Sequence, residues 1–155
     1  MRDDATEITN LLYRYAECID AGDFAGVGKL FAHAVLTADG TAMRVEGADE
    51  VASHYAGTTR LYPEPGTPKT KHVITNPILE IDAAAGSAEV RSYYTVYQQT
   101  ERLPLQLIIT GRYRDRVERV DGHWRFASRC FFVDQVGDLS QHLLFDLAAP
   151  GGDRT

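Results

Sequence analysis

Apolar positions recur every three or four residues over 4–21, where Ile8, Leu12, Tyr15 and Ile19 form one stripe, widened by Leu11 and Cys18. That spacing predicts an amphipathic helix with the stripe turned to a core. Asp20 falls beside the stripe, on the row of Tyr13 and Ala16, and Gly22 supplies a stop. Asp23 can cap a second short helix over 24–31, with Phe24, Val27, Leu30 and Phe31 inward. Two short strands, 34–38 and 42–46, are expected about a turn at Asp39-Gly40. A third helix spans 48–59, with Val51, Ala52 and Tyr55 facing in.

The period then changes to two. A loop over 62–68 holds three prolines and a glycine, a candidate rim or flap. In the strand that follows, 69–82, His72, Ile74, Asn76 and Ile78 share a face. An imidazole and an amide beside branched apolar residues make the mixed lining that a ligand pocket needs. A second strand, 87–101, turns Ala88, Val90, Ser92, Tyr94 and Val96 to one side. A third, 104–120, places Leu105, Leu107, Ile109, Gly111, Tyr113 and Val117 opposite Gln106, Thr110, Arg112, Arg114 and Arg116. After Asp121-Gly122, a fourth strand over 123–135 aligns Trp124, Phe126, Ser128, Cys130 and Phe132.

Such alternation predicts an antiparallel sheet with one polar side. A short helix is expected over 137–145 and a frayed tail over 148–155. Helices first and strands afterwards is the α+β order, here in one domain over 1–147.

Composition narrows the function. At 155 residues, 44% hydrophobic and 25% charged, the chain has the make-up of a globular domain with a real core. A net charge of −6 argues against nucleic acid as a partner. It also assigns Arg112, Arg114 and Arg116 to a solvated or interface-facing sheet side. Cys18 and Cys130 lack metal-site spacing and read as buried free thiols; no metal is expected. The polar start and the lack of a long apolar run predict a cytoplasmic protein without a membrane span. Sheet-face aromatics and arginines predict a homodimer or homotrimer. His33, His54, His123 and His142 have no evident partner and read as surface residues. No phosphate loop, nucleophile elbow, dinucleotide fingerprint or calcium loop is present.

Several segments together resemble a known family. These are Leu12-Tyr13-Arg14-Tyr15-Ala16, Ile19-Asp20-Ala21-Gly22-Asp23-Phe24, Leu30-Phe31, Lys71-His72-Val73-Ile74-Thr75-Asn76, Ala88 to Tyr94, Gly111-Arg112-Tyr113 to Gly122, and Trp124-Arg125-Phe126. In that order, over 5–135, they resemble SnoaL-like proteins of the nuclear transport factor 2-like superfamily. The resemblance implies a cone, a curved antiparallel sheet wrapped around three N-terminal helices with an apolar pocket inside. In the scytalone dehydratase and dehydrochlorinase branch, an aspartate ending the first helix pairs with a histidine on the strand after the third. Asp20 and His72 match those positions, and that branch needs no cofactor. The dehydratase's other histidine has no match: its strand here offers Tyr94 and Gln98 or Gln99. The dehydrochlorinase's pocket lysine aligns near Tyr15. Its pocket arginine has no firm counterpart, because Arg129 reads as one residue out of register.

An Asp–His pair is useful because the carboxylate takes the proton of one ring nitrogen and leaves the other as a base. The expected activity is a cofactor-independent lyase or isomerase on a small apolar, cyclic or aromatic molecule. Asp20 and His72 are the candidate catalytic pair. Tyr15, Asn76, Tyr94, Phe126 and Ser128 are the candidate substrate-binding groups. Plainer readings stand beside these: Asp20 in a solvated turn, His72 as a satisfied strand histidine, Asn76 capping a bulge before Pro77, the tyrosines as core. The rival function is a non-catalytic binding or scaffold module, since the same fold serves dioxygenase small subunits.

Overall fold

A computed structural model describes residues 3–147; the expected tail over 148–155 lies outside them. Three helices come first: α1 (Asp4–Asp20), α2 (Phe24–Leu30) and α3 (Ala48–Thr58), with strands β1 (Val35–Ala38) and β2 (Arg44–Glu46) between the last two. Four long strands follow: β3 (Thr70–Asp82), β4 (Ser87–Gln98), β5 (Gln106–Val120) and β6 (His123–Val136). They form one six-stranded sheet in the order β2-β1-β6-β5-β4-β3. Every pairing is antiparallel except β1 with β6, which is parallel, so the sheet is mixed. Most of the chain separates β1 from β6, so no hairpin imposes a direction on that pair.

The α1 stripe is the floor of the core, with Ile8, Leu12, Tyr15 and Ile19 all at or below 2% exposure. This helix packs against both β3 and β6, strands three places apart in the sheet. A sheet that meets one helix at two such distant strands must curve around it. The architecture is the α+β roll expected from the pattern.

Curvature is accompanied by β-bulges, and these overturn part of the face assignment. On β3, Asn76 and Pro77 together oppose Ser92, and Asn76 takes a φ of 41°. Beyond that point Leu79 and Ile81 pack inward, while Ile78 is exposed. On β5, Ile108 is the extra residue; it is buried, and Leu105 and Leu107 face out instead. On β6, Ala127 has no partner on β5, and a further register shift lies near Asp134. Past Ala127 the inward set is Arg129 and Phe131, not Ser128 and Cys130. Each bulge adds one residue, and one residue exchanges the two faces of a strand.

The expected C-terminal helix is not formed. Residues 137–147 make one turn, in which the Leu143 amide donates to the Leu139 carbonyl, and a bridge between Thr59 and Leu143. Cys18 and Cys130 are free and half-buried rather than fully buried. No helix among the described residues is long and apolar enough to cross a membrane.

Candidate functional site

Asp20 is the last residue of α1, and the chain leaves the helix in a way that holds it still. Gly22 adopts a φ of 73°, its amide donates to Ile19, and the Asp23 amide donates to Cys18. This is the paired closure that a glycine after a helix allows. A Cβ on Gly22 would strike the Gly66 carbonyl, so the same glycine lets the 62–68 loop lie against the helix end.

A carboxylate here faces the negative end of the helix dipole. Three donors offset that. Oδ1 of Asp20 accepts from the Thr70 hydroxyl at 2.8 Å and pairs with His72 Nδ1 at 2.6 Å. Oδ2 accepts from the His72 amide at 2.8 Å. Burial pushes the Asp20 carboxyl up, but its bonds to His72 and Thr70 outweigh burial and hold it below its ordinary value. A depressed carboxyl contributes stability above its unfolded-state pKa and loses it as pH falls through the folded-state pKa. The stability gap between wild type and Asp20→Asn should therefore narrow as pH drops through and below the ordinary aspartate range. Urea denaturation across acid pH measures it; a constant gap would show that the charge contributes nothing.

The carboxylate fixes the ring of His72. With Nδ1–H directed at Asp20, Nε2 carries the lone pair. His72 and Asp20 side chains are only 7% and 12% exposed. The imidazole lines a hollow of about 180 Å³ between the helices and the sheet. Ile19, Val96, Ile109, Phe131 and Leu139 make much of its wall, and Tyr15, Tyr55, Tyr94 and Tyr113 surround the rest. A larger open groove of about 650 Å³ beside Arg60 and the 136–147 segment touches neither Asp20 nor His72.

The expected binding groups separate into two sets. Tyr15 and Tyr94 line the hollow. The hydroxyls of Tyr15 and Tyr55 lie 2.9 Å apart, and burial pushes both phenols up. The Tyr94 hydroxyl donates to the Phe132 carbonyl at 2.9 Å. Its ring lies over Gly111, where a Cβ would collide with it. Asn76, Phe126 and Ser128 do not line the hollow. Asn76 is exposed on its bulge, Ser128 is carried to the outer face by the Ala127 bulge, and Phe126 stacks on Phe31 in the core at 4.5 Å between ring centres.

Arg129 is turned inward by the same bulge but stops short of the hollow. It is fully buried and paired in two-pronged fashion with Asp115, at 2.7 and 2.8 Å. Its guanidinium lies 3.8 Å from the centre of the Tyr113 ring and 4.5 Å from that of Tyr15. Burial opposes its charge, but Asp115 more than restores it and the group is held above its ordinary value. Asp115 shares the inward parity of Gly111, Tyr113 and Val117, which was the available signal for it.

Two of the histidines read as surface residues are not. His54 is half-buried and lines the hollow. His142 is 7% exposed and also lines it, its ring centre 6.5 Å from that of His72. Gln98 holds the strap that bears His142. It is 1% exposed, and Nε2 donates to the carbonyls of Gln141 at 2.9 Å and Pro68 at 3.0 Å. The Arg60 amide donates to the His142 carbonyl at 2.8 Å. Gln98→Leu removes two bonds at once, so a stability loss of about 1–3 kcal/mol is expected. Faster hydrogen exchange at the Arg60 and Leu144 amides is the diagnostic readout; unchanged exchange there would show that the strap stands without Gln98.

Among the described residues no group of three or more His, Cys, Asp or Glu side chains gathers as a metal site would require. None of the curated proteins matches the chain. Solved structures with similar folds are numerous. A protein of Novosphingobium aromaticivorans, provisionally assigned as a scytalone dehydratase, superposes with a TM-score of 0.71 at 21% identity, covering 98% of this chain and 95% of that one. An Asp-to-Asn variant of Rv3472, a Mycobacterium tuberculosis protein of unknown function, gives 0.70 at 24% identity, with 86% and 73% covered. A Catenulispora acidiphila protein in complex with S-DNPA gives 0.68 at 19% identity, with 84% and 92% covered. At these identities the likeness establishes the fold. The family described as the SnoaL-like domain matches residues 2–130, and the chain belongs to it.

Proposed function

We propose that the protein is a cofactor-independent lyase or isomerase acting on a small, apolar, cyclic molecule. One observation carries this reading: His72 Nδ1 lies 2.6 Å from Asp20 Oδ1 while the same ring lines an apolar hollow. Nε2 of His72 would take a proton from a substrate carbon. The C–H electron pair then forms a new double bond, expelling a leaving group in an elimination or shifting an existing double bond in an isomerisation. Asp20 stabilises the imidazolium that forms, and the low-dielectric wall strengthens that attraction. The hollow suits one ring, since a dry void of about 150 Å³ admits benzene. The fold's provisional dehydratase neighbour and the neighbour solved with S-DNPA support a small-molecule site.

The test is deuterium uptake from D₂O into a panel of single-ring carbon acids, followed by NMR. Uptake with wild type that falls in His72→Gln and Asp20→Asn is expected. Uptake undiminished in both variants removes the dyad. Binding without uptake by wild type would assign the hollow to a non-catalytic binding module.

A further inference from the structure

We propose that the substrate carries an unbranched apolar tail ending in a carboxylate, with its ring in the hollow, its tail along the groove beside the strap, and its carboxylate on Arg60. The inference rests on the hollow being the substrate site and adds a chemical class to that reading.

Arg60 is out of place among the arginines. The other described arginines either pair with a carboxylate or, like Arg14, Arg102 and Arg114, are exposed. Arg60 is part-buried, has no ion-pair partner among the described residues, and its Nε is sealed from water with no acceptor in reach. Such a group has lost hydration without gaining a counter-charge, and buried donors and charges are otherwise paired. A guanidinium in this state is built for a carboxylate, which it can hold with two parallel hydrogen bonds.

The hollow leads to it. Thr59 lines the hollow and Arg60 lines the groove of about 650 Å³. Thr59 is extended, with φ −113° and ψ 127°, and bridges to Leu143, so neighbouring side chains there point to opposite sides. Leu139, Leu143 and Phe145 of the strap line both spaces, and form the border that a ligand crosses from one to the other. The hollow of about 180 Å³ has room for one ring and little more, so the rest of a larger substrate must lie outside it. Outside, Leu144 and Phe145 are each 48% exposed along the groove. An alkyl chain would cover them, and each methylene it buries tightens binding by up to about fourfold.

Asp146 is the other charged residue of the groove wall. It is exposed and makes no ion pair with Arg60, so water screens it while Arg60 is half withdrawn from water. The balance of the groove therefore favours an anion, weakened by Asp146 rather than cancelled.

A series of ω-cyclohexylalkanoic acids of increasing chain length, with the matching primary amides, tests this by NMR titration. Once the chain is long enough to reach Arg60, wild type should favour acid over amide by roughly tenfold, the worth of one charged hydrogen bond. Arg60→Gln should abolish that preference, Arg60→Lys should retain part of it, and Asp146→Asn should raise it. His72→Gln should leave it unchanged. Equal binding of acid and amide by wild type at every length overturns the assignment, as does a preference that survives Arg60→Gln. A straight-chain acid that binds as tightly as its ring-bearing counterpart overturns the two-part arrangement. Acid binding that appears only in a chain ending at residue 147 gives the groove to residues 148–155. A wild-type dimer that Leu144→Asp dissolves, with no acid binding, gives it to a second copy; either result ends the proposal. An Arg60-dependent preference in a protein that exchanges no deuterium into any carbon acid supports the tail site and sinks the catalytic reading of the dyad. Should Arg60→Gln fail to fold, the pH titration of a carboxyl-¹³C acid bound to wild type decides: a carboxyl held below its free value supports the contact, and an unmoved or raised one removes it.

Discussion

Replacement of Asp20 by Asn is expected to lower turnover by about 10²–10⁴-fold with the fold retained. The reason lies in the number of donors converging on one carboxylate. Thr70 Oγ1, the His72 amide and His72 Nδ1 all point at the two oxygens of Asp20. An amide side chain offers one oxygen and one NH₂ group. Whichever way it is turned, the NH₂ meets a group that was donating. If it meets the ring, His72 must present Nδ1 as an acceptor and carry its proton on Nε2. The nitrogen facing the hollow then has no lone pair for a substrate proton. The loss is one of tautomer rather than of position.

His72→Gln removes the base itself and should reach at least the same floor. The two substitutions act on one unit, so the double variant should be little worse than either single one. Turnover measured on the same carbon acid, for both singles and the double, separates this from two independent effects. Losses that multiply would mean that Asp20 acts on the substrate directly, or only on stability.

Much of this was readable from residue order. The α1 stripe, the stop at Gly22 and the family-like segments are enough to bring Asp20 and His72 forward as partners. Local rules sufficed there because each residue sits at an element boundary or before any bulge. The failures cluster where one inserted residue exchanges the faces of a strand. Asn76-Pro77 carried a signal: proline lacks the donor a ladder needs, and asparagine tolerates a positive φ. Ala127 carried none, and so Ser128 and Arg129 traded places unseen. Ile108 lies within Leu105-Gln106-Leu107-Ile108-Ile109, where every register looks apolar. His142 was missed for a different reason. Its burial depends on Gln98 and the Arg60 amide holding a strap that has no regular structure, and such tertiary bonds leave no periodic trace.

Breaking the Arg129–Asp115 pair should carry the largest cost in stability. Arg129→Met leaves a carboxylate at 0% exposure facing no cation, and Asp115→Leu leaves a buried guanidinium. Each single change is expected to cost about 3–5 kcal/mol, as uncompensated buried charges do. The double change, Arg129→Met with Asp115→Leu, replaces the pair by apolar side chains and should recover most of that loss. Part will not return, because the guanidinium also faces the Tyr113 and Tyr15 rings at 3.8 and 4.5 Å. Urea denaturation of the four proteins gives the cycle directly. Additive losses would mean that the two charges are independently solvated, against their burial. The same double variant settles what Arg129 does for chemistry. Tyr15 and Tyr113 stand between it and the hollow as wall residues, and Arg129 itself is not part of the lining. A double variant that regains both stability and turnover makes the pair a prop behind the tyrosine wall. One that regains stability alone would require Arg129 to reach the substrate in a rearranged site, and the ligand would then have to carry an anion that an apolar hollow gives no other means of holding.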